Sequence, residues 1–302
     1  MGKISFGKYT VETSNEDKTF FPDEDLTKGD LIEYYRKIAD AILPHLRNRT
    51  LSMQRFPDGI QKSGFYQKEA GDYFPDWVKT VKIKKEGGSN TQVVIDKTAT
   101  LVYLANQAMV TPHVWLSKID KLDYPDRLVF DLDPPGDGFA PVRKAAKKLV
   151  AFLDDELGLP VFVQTTGSRG LHVVVPLDRS ADFDTVRAFA QDAAKVLADR
   201  NSDELTVEVR KNRRRGRLFL DTARNAYAQT FVAPYSVRAR SGAPVATPLG
   251  LEELGDSRLH AQKYTIRNIH RRLARRKDPW AKINRRAVSL KKAEKNLKAV
   301  QT

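Results

Sequence analysis

Cysteine is absent from this chain of 302 residues. Without a thiol, the protein cannot form a disulfide, bind zinc through thiolates or use a cysteine nucleophile. No apolar run approaches about 18 residues, so no segment is expected to cross a membrane. The first residues, MGKISFGKYT, also have no apolar stretch of the kind a signal peptide needs. These absences predict a folded, cytoplasmic protein whose chemistry uses oxygen and nitrogen groups.

Positive charge is concentrated near the end of the chain. The formal net charge is +14, and residues 258–302 contain 15 Lys/Arg and 2 Asp/Glu, so the preceding part is almost neutral. A basic tail indicates a polyanionic partner such as nucleic acid. A solvated helical appendage with no partner would have the same composition.

The order of apolar patterns predicts three regions. Residues 1–115 are expected to form an N-terminal α/β subdomain, 116–257 a catalytic core and 258–302 a basic, mostly helical tail. In the first region LTKGDLIEYYRKIADAILPHL has helical periodicity, and Thr27 with Asp30 forms a potential capping box at its start.

The central region predicts an α+β fold. Its segments read as strand, helix, strand, strand, helix, strand, from RLVFDLD to LTVEVR, and RLFLDTA follows as a further strand. This is the ferredoxin-like or RNA-recognition-like order, in which both helices cover one face of the sheet. The other face is then free to carry a site, unless another domain covers it.

Two carboxylates end the first strand of this core. In RLVFDLDPP, Asp131 and Asp133 project from the same face of the strand, where their like charges repel. A divalent cation such as Mg²⁺ or Mn²⁺ would remove that repulsion, although an acidic turn in solvent could have the same sequence. Asp221 ends the strand RLFLDTA, and a third carboxylate nearby would allow two metal ions to be held for phosphoryl transfer.

The segment TTGSRGLH has the composition of a phosphate-binding turn. Gly167 and Gly170 permit a tight turn whose amides can face an anion, and Ser168 and Arg169 add a hydroxyl and a guanidinium. His172 begins the next strand, where it could donate to a triphosphate oxygen or have only a structural role.

A basic loop precedes the strand of Asp221. The run RKNRRRGR at residues 210–217 has six basic residues in eight. It could contact a nucleic-acid backbone or be a solvated loop.

Together these motifs resemble the archaeo-eukaryotic primase superfamily, with its D-x-D, S-x-x-x-H and strand-end Asp motifs. The closer resemblance is to the polymerase domain of the bacterial ATP-dependent ligase D, and among its relatives to stand-alone actinobacterial paralogues of the Prim-Pol C kind. The motifs that occur in the family's order are DKTFFP, TKGDL, QRFPDG, LVFDLDPP, GSRGLH and VAPYSVRAR.

The resemblance implies a template-dependent nucleotidyltransferase of the primase-polymerase fold that favours ribonucleotides over deoxynucleotides. Asp131, Asp133 and Asp221 would bind two divalent ions, with Mn²⁺ favoured over Mg²⁺. The positions matching those that hold the phosphates of the incoming NTP or dNTP are Ser168, Arg169, His172 and Arg238. Thr166 and His113 match positions near the sugar 2′-hydroxyl.

The resemblance also implies a set of DNA contacts, matched here by Lys18, Lys28, Arg55, Phe65, Tyr66 and Arg214. Lys18 and Lys28 would bind the 5′-phosphate across a gap, and the free amides of the first turn of a helix at Lys28 would favour the same anion. Phe65 and Tyr66 would stack on bases, and Arg55 and Arg214 would lie near template and primer. The role of Arg224 stays open.

The implied partners are gapped or nicked DNA with a 5′-phosphate and a separate ATP-dependent DNA ligase, with the protein itself a monomer at the bacterial nucleoid. The implied function is filling of short 5′-phosphorylated gaps, as in excision repair, by two-metal phosphoryl transfer. Fill-in during non-homologous end joining, the joining of double-strand breaks, is the alternative. Two other interpretations are a D-x-D phosphatase of the haloacid dehalogenase type and a non-catalytic module on an RNA-recognition-like sheet.

Overall fold

The computed structural model describes residues 2–85 and 87–301 and confirms the α+β fold class. The helices are α1 Lys28–Leu46, α2 Thr98–Asn106, α3 Ala140–Ala151, α4 Phe183–Arg200, α5 Ile269–Arg275 and α6 Lys291–Gln301. The strands are β1 Gly2–Phe6, β2 Tyr9–Thr13, β3 Thr19–Phe21, β4 Leu26–Thr27, β5 Leu51–Arg55, β6 Phe65–Gln67, β7 Thr80–Lys85, β8 Gly88–Val93, β9 Met109–Trp115, β10 Arg127–Asp133, β11 Phe162–Thr165, β12 Leu171–Pro176, β13 Leu205–Thr206, β14 Leu218–Asp221, β15 Thr230–Val232 and β16 Thr247–Leu249. Within the described ranges, every helix is too short or too polar to cross a bilayer.

The chain divides into two compact units. The first contains the chain up to Trp115 together with Thr230–Ala246 and Tyr264–Arg276. The second contains Leu116–Gln229, Thr247–Lys263 and the chain from Lys277. One boundary between the units lies between Trp115 and Leu116, and later segments return to the first unit. The functional roles assigned to residues 1–115, 116–257 and 258–302 stay predictions.

The first unit is built around an antiparallel sheet in the order β15-β9-β5-β6. Helix α1 begins with the expected capping box, in which the Asp30 amide donates to Thr27 Oγ1 and the Thr27 amide donates to Asp30 Oδ2. The face of α1 with helical spacing is buried as predicted, at Ile32, Tyr35, Ile38, Ala39 and Ile42. The capping box and this apolar face explain why the segment is a helix here.

The second unit contains a six-stranded sheet in the order β13-β14-β10-β12-β11-β16. Among its inner strands β14, β10, β12 and β11, each neighbouring pair is antiparallel, which is the ferredoxin-like arrangement that the sequence predicted. The prediction that LTVEVR forms the last strand of this core is only partly correct. In the structure only Leu205–Thr206 of this segment is a strand, and it pairs in parallel with β14 at the edge of the sheet. The strand that ends at Asp221 takes the place beside β10 instead.

The basic C-terminal segment is part of the fold and is less helical than predicted. Among its described residues, up to 301, only α5 and α6 are α-helices, and the connection between them is irregular around Pro279. Trp280 is 1% exposed, and its indole Nε1 donates to the Val163 carbonyl at 3.1 Å. Leu290 and Leu297 are also buried, so the segment supplies core side chains while most of its lysines face solvent.

Candidate active site

The functional side chains of the second unit form one row across its sheet. Backbone register places Asp221 opposite Asp131, Asp131 opposite His172, and His172 opposite Gln164. Residues directly opposed in antiparallel strands share a face, with Cβ atoms about 5 Å apart. Asp133 lies two residues beyond Asp131 and projects from the same face. The row therefore brings Asp131 and Asp133 of β10 and Asp221 of β14 to one face of the sheet.

Asn225 holds the strand of Asp131 beyond the end of its pairing with β14. Its fully buried side chain accepts from the Val129 amide at 2.8 Å and donates to the Val129 carbonyl at 2.7 Å. An amide side chain thus replaces the ladder hydrogen bonds that β14 would otherwise supply, and β10 stays in register up to its carboxylates.

Cationic side chains surround the carboxylates. Arg214 Nη1 lies 2.9 Å from Asp133 Oδ2, and Arg169 Nη2 lies 3.3 Å from Asp133 Oδ1. On the other side, Arg224 Nε is 3.8 Å from Asp131 Oδ2. Asp221 Oδ1 accepts from the Ala223 amide at 2.7 Å. The positive charges balance the clustered carboxylates, and Arg224, whose role the sequence left open, lies beside Asp131.

Arg214 is more deeply placed than a DNA contact at the surface would be. Its guanidinium is 4.0 Å from the Phe219 ring centroid and donates to the carbonyls of Glu208 and Val209. Arg214 therefore ties the basic loop to Asp133, and its role beside primer or template stays a prediction. The exposed cations of this loop are Arg210, Lys211, Arg213 and Arg215.

The turn between β11 and β12 is built around one hydroxyl. Thr166 Oγ1 accepts from the amides of Ser168 and Gly170, both at 3.2 Å, and donates to the Gly170 carbonyl at 3.1 Å. Gly167 has a positive φ of 65°, which glycine adopts readily. Thr166 is 6% exposed, and its hydroxyl is hydrogen-bonded within the turn. Its place beside the sugar of the nucleotide stays a prediction.

His172 is the polar link between the turn and the carboxylates. Its Nε2 lies 3.6 Å from Asp131 Oδ2, and its Nδ1 lies 3.1 Å from Gln164 Nε2. Both His172 and Gln164 are buried. Gln164 was not among the predicted site residues, although a lone amide in the apolar strand VFVQT is a signal that the sequence contains.

A cationic pocket of about 260 Å³ lies in the first unit. Lys18, Lys28 and Arg55 line it, together with Asn15 and Asp58 among others. Lys28 is 6% exposed, and its Nζ donates to the Ser14 carbonyl at 2.6 Å. Burial, followed by the positive charge of Lys18, lowers the pKa of Lys28, while Glu16 opposes the shift. Lys18 forms an ion pair with Asp58 at 2.5 Å.

The amides that begin α1 are already used within the chain. The Lys28 amide donates to the Lys18 carbonyl, the Gly29 amide to the Glu16 carbonyl and the Asp30 amide to Thr27 Oγ1. The expectation that these amides are free to bind an anion is therefore wrong. An anion in this pocket would be held by side-chain cations.

Phe65 and Tyr66 are exposed, at 47% and 57%, which argues against a core role for the GFY segment. They lie on the edge strand β6 and point to opposite faces of it. Tyr66 is near His113, with ring centroids 5.5 Å apart, whereas Phe65 lies under the Arg55 guanidinium at 5.5 Å. His113 and Arg238 are half-buried and belong to the first unit. The other predicted nucleotide-binding residues, Ser168 and His172 among them, belong to the second unit.

Comparison with known proteins decides the family. Residues 27–280 match the family described as LigD, primase-polymerase domain. The chain belongs to this LigD family. It is a family of template-dependent, metal-dependent nucleotidyltransferases, so a phosphatase of the haloacid dehalogenase type is not supported. The antiparallel row of Asp221, Asp131 and His172 agrees with that assignment.

Relatives of known name cover most of this chain. The multifunctional non-homologous end joining protein LigD of Pseudomonas aeruginosa is 34% identical over 275 residues, which are 90% of this chain and 32% of that protein. The bifunctional LigD of Bacillus subtilis is 32% identical over 89% of this chain and 43% of its own length. The chain thus spans about a third to two fifths of these curated relatives.

A solved structure covers nearly the same residues. The polymerase domain of Mycobacterium tuberculosis ligase D in complex with DNA superposes with a TM-score of 0.85 at 30% identity. The match covers 92% of this chain and 99% of that one.

The three carboxylates of this site are suitable ligands for divalent metal ions. Three carboxylates from two adjacent strands share one face, and oxygen ligands are those that Mg²⁺ and Mn²⁺ prefer. As oriented here, no three Asp, Glu or His side chains in the described ranges converge on a single ion position. Asp133 is oriented toward Arg214 and Arg169, and Asp221 toward the Ala223 amide.

Proposed function

We propose that this LigD-family enzyme extends a primer across a short DNA gap whose far side carries a 5′-phosphate. The observation that carries the proposal is the pocket in which Lys18, Lys28 and Arg55 concentrate positive charge. A terminal phosphate is a compact anion that such a pocket suits. The solved relative in complex with DNA supports extending DNA binding to this chain.

The residues of the second unit have separate roles in this proposal. Ser168 and Arg169 bind the triphosphate from the turn, and His172, positioned by Gln164, donates from Nε2 to it. Asp131, Asp133 and Asp221 hold the two divalent ions, Mn²⁺ in preference to Mg²⁺, whose chemistry is to neutralise phosphate charge and acidify the primer hydroxyl. Arg224 compensates the carboxylate charge beside Asp131.

Ribonucleotide preference is part of the proposal and depends on the first unit. The Thr166 hydroxyl is engaged within its turn, so recognition of the 2′-hydroxyl is assigned to His113. Arg238 completes the binding of the triphosphate. A separate ATP-dependent DNA ligase would seal the product, and the enzyme would act as a monomer in the bacterial cytoplasm.

End filling during double-strand break joining is the second candidate. The names of the relatives from Pseudomonas aeruginosa and Bacillus subtilis both refer to non-homologous end joining. The same phosphate pocket could engage the recessed 5′-phosphate of a second DNA end. Both candidates use one chemical step and differ in whether the template strand is continuous.

Primer extension distinguishes the two candidates. The substrates are continuous templates with gaps of one to several nucleotides and pairs of ends with complementary 3′ overhangs, each with and without the 5′-phosphate. Ribo- and deoxynucleotides are compared in Mn²⁺ and in Mg²⁺. Faster addition on 5′-phosphorylated gaps supports gap filling, faster addition on paired ends supports end joining, and no dependence on the 5′-phosphate contradicts both.

Lys28 gives the sharpest test of the pocket. Lys28→Ala should weaken binding to 5′-phosphorylated gaps about 10- to 100-fold, because a charged hydrogen bond contributes roughly 1.5–3 kcal/mol. Binding to unphosphorylated gaps should be unchanged. Lys37→Ala is the matched control, since Lys37 lies on the same helix and pairs with Glu33 in solvent. An equal loss on both DNAs would make Lys28 a general backbone contact.

A further inference from the structure

Three of the four exposed aromatic side chains in the described ranges belong to the first unit. They are Phe65, Tyr66 and Tyr73, with Tyr73 the most exposed at 60%. Tyr73 shares with Phe65 the surroundings of Arg55, because its hydroxyl is 3.0 Å from Arg55 Nη1. The resemblance to the LigD family did not select Tyr73. Two exposed rings, Phe65 and Tyr73, therefore adjoin one guanidinium. Large exposed rings brought together in this way are typical of a binding surface.

The Tyr73 ring is held in place although it faces solvent. Its centroid is 5.0 Å from that of Phe74, and Phe74 in turn lies 5.4 Å from the buried Tyr103, both edge-to-face. Gly71 leaves room for the ring, since a Cβ there would lie 2.5 Å from Tyr73 Cε1. The ring therefore loses little conformational freedom on binding, which favours stacking on a planar ligand.

Arg55 connects this ring to the phosphate pocket. Its Nε donates to the Gln107 carbonyl at 2.6 Å, and both Arg55 and Gln107 line the pocket with Lys18 and Lys28. One guanidinium thus borders the anion site and contacts the Tyr73 hydroxyl. A ligand that contacts both the pocket and the Tyr73 ring needs a terminal phosphate with a planar ring close to it. The first nucleotide of a 5′-phosphorylated strand has this chemistry.

We propose that Tyr73 stacks on the base of the first nucleotide of the downstream strand, whose 5′-phosphate occupies the pocket. The inference rests on the proposed gap-filling function and adds the recognition of the nucleotide itself. The Phe65 ring lies against the same guanidinium, with its centroid 5.5 Å from Arg55 Cζ. The enzyme would then distinguish an intact gap margin from one whose first base has been lost.

The experiment measures affinity for a one-nucleotide gap in which the first downstream nucleotide is either normal or abasic, both with a 5′-phosphate. Base removal should weaken the wild-type protein about 5- to 150-fold, the range for one base–aromatic stack. Tyr73→Leu should show the same loss on normal DNA and no further loss on abasic DNA. Tyr73→Phe, which keeps the ring, should retain the wild-type sensitivity.

Two further variants test position and specificity. Gly71→Ala leaves the Tyr73 side chain intact but displaces its ring, so it should reduce the sensitivity to base loss. Tyr227→Leu removes an exposed tyrosine of the second unit and should leave that sensitivity unchanged. Melting temperatures of all variants check folding, and Tyr73→Phe remains informative if leucine perturbs the loop.

The outcomes separate this proposal from the proposed function. If Tyr73→Leu and base removal weaken binding independently, or if Tyr73→Leu couples to an abasic site in the template instead, stacking on the downstream base is wrong. If the wild-type protein binds 5′-phosphate and 5′-hydroxyl gaps equally, the phosphate pocket assignment fails whatever the behaviour of Tyr73. Coupling confined to the first downstream base supports the proposal.

Discussion

Asp221 is the residue on which the catalytic interpretation depends most. It lies on a different strand from Asp131 and Asp133, so no local sequence rule requires the three to meet. Register places it directly opposite Asp131, and the Ala223 amide holds its carboxylate at 2.7 Å. This single cross-strand pairing turns a D-x-D strand end into a site with three carboxylates.

Asp221→Ala should abolish nucleotide addition while binding to gapped DNA persists. Metal ligation contributes several kcal/mol to the transition state, so the rate should fall at least about 1,000-fold. Single-turnover extension and a binding titration on the same DNA give the two numbers. Asp192→Ala is the control, because Asp192 is an exposed carboxylate that lines the same surface pocket as Asp221. Retained incorporation by Asp221→Ala would contradict the metal assignment.

The pH dependence of phosphate recognition follows from Lys28. Burial lowers the pKa of this lysine from its usual 10.5, and only its protonated form attracts a phosphate. As pH rises, the preference for 5′-phosphorylated over unphosphorylated gaps should therefore decline before an ordinary lysine would titrate. The ratio of the two dissociation constants between pH 7 and 10 measures it. In Lys28→Arg, whose guanidinium stays charged, a ratio that still declines would exclude Lys28 as the titrating group.

The turn between β11 and β12 shows how one element positions another. Gly170 lies against the D-x-D strand so closely that a Cβ would be 2.1 Å from the Leu132 carbonyl oxygen. The turn is therefore in backbone contact with the strand that carries the carboxylates. Any side chain at this position would force the turn away from β10.

Gly170→Ala should reduce the rate of addition about 100-fold or more, because a shift of roughly 1 Å in reacting groups has that effect. Overpacking should also lower stability by about 1–3 kcal/mol. Gly136→Ala is the matched control, since a Cβ there meets nothing within 4 Å. Turnover and thermal unfolding are measured for both. Equal behaviour of the two variants would mean that the turn and strand move independently.

At the scale of the whole molecule, the basic C-terminal segment contributes apolar side chains to the core and exposes lysines to solvent. Trp280, Leu290 and Leu297 are buried, and each contributes about 1.5–3 kcal/mol by burial. Deleting residues 258–302 would therefore unfold the protein instead of testing its charge. The lysines of α6 that face solvent are Lys291, Lys292, Lys295 and Lys298.

Replacing these four lysines with glutamine should flatten the salt dependence of DNA affinity. The slope of log affinity against log salt should fall by about 0.9 for each lysine that contacts a phosphate of duplex DNA. The fold should be retained, because the buried residues of α6 are unchanged. A circular dichroism melt that matches wild type checks the fold of the variant. An unchanged slope would show that the α6 charges do not contact DNA.

The sequence alone determined the features that depend on near neighbours in the chain. The capping box of α1, its buried face and the shared orientation of Asp131 and Asp133 follow from helical and strand periodicity. The ordered motifs also predicted the LigD family and the ferredoxin-like core. What periodicity could not supply was the identity of the strand beside β10, where RLFLDTA pairs and LTVEVR does not.

Tertiary structure decided which distant residues meet. The register that opposes Asp221 to Asp131, the Gln164–His172 contact and the buried Arg214 beside Asp133 all join segments far apart in sequence. It also showed that the first amides of α1 are occupied and that Tyr73 stands beside Arg55. The physical reason is that hydrogen-bond register and side-chain burial are properties of the packed chain, whereas strand ends, caps and turns are encoded locally.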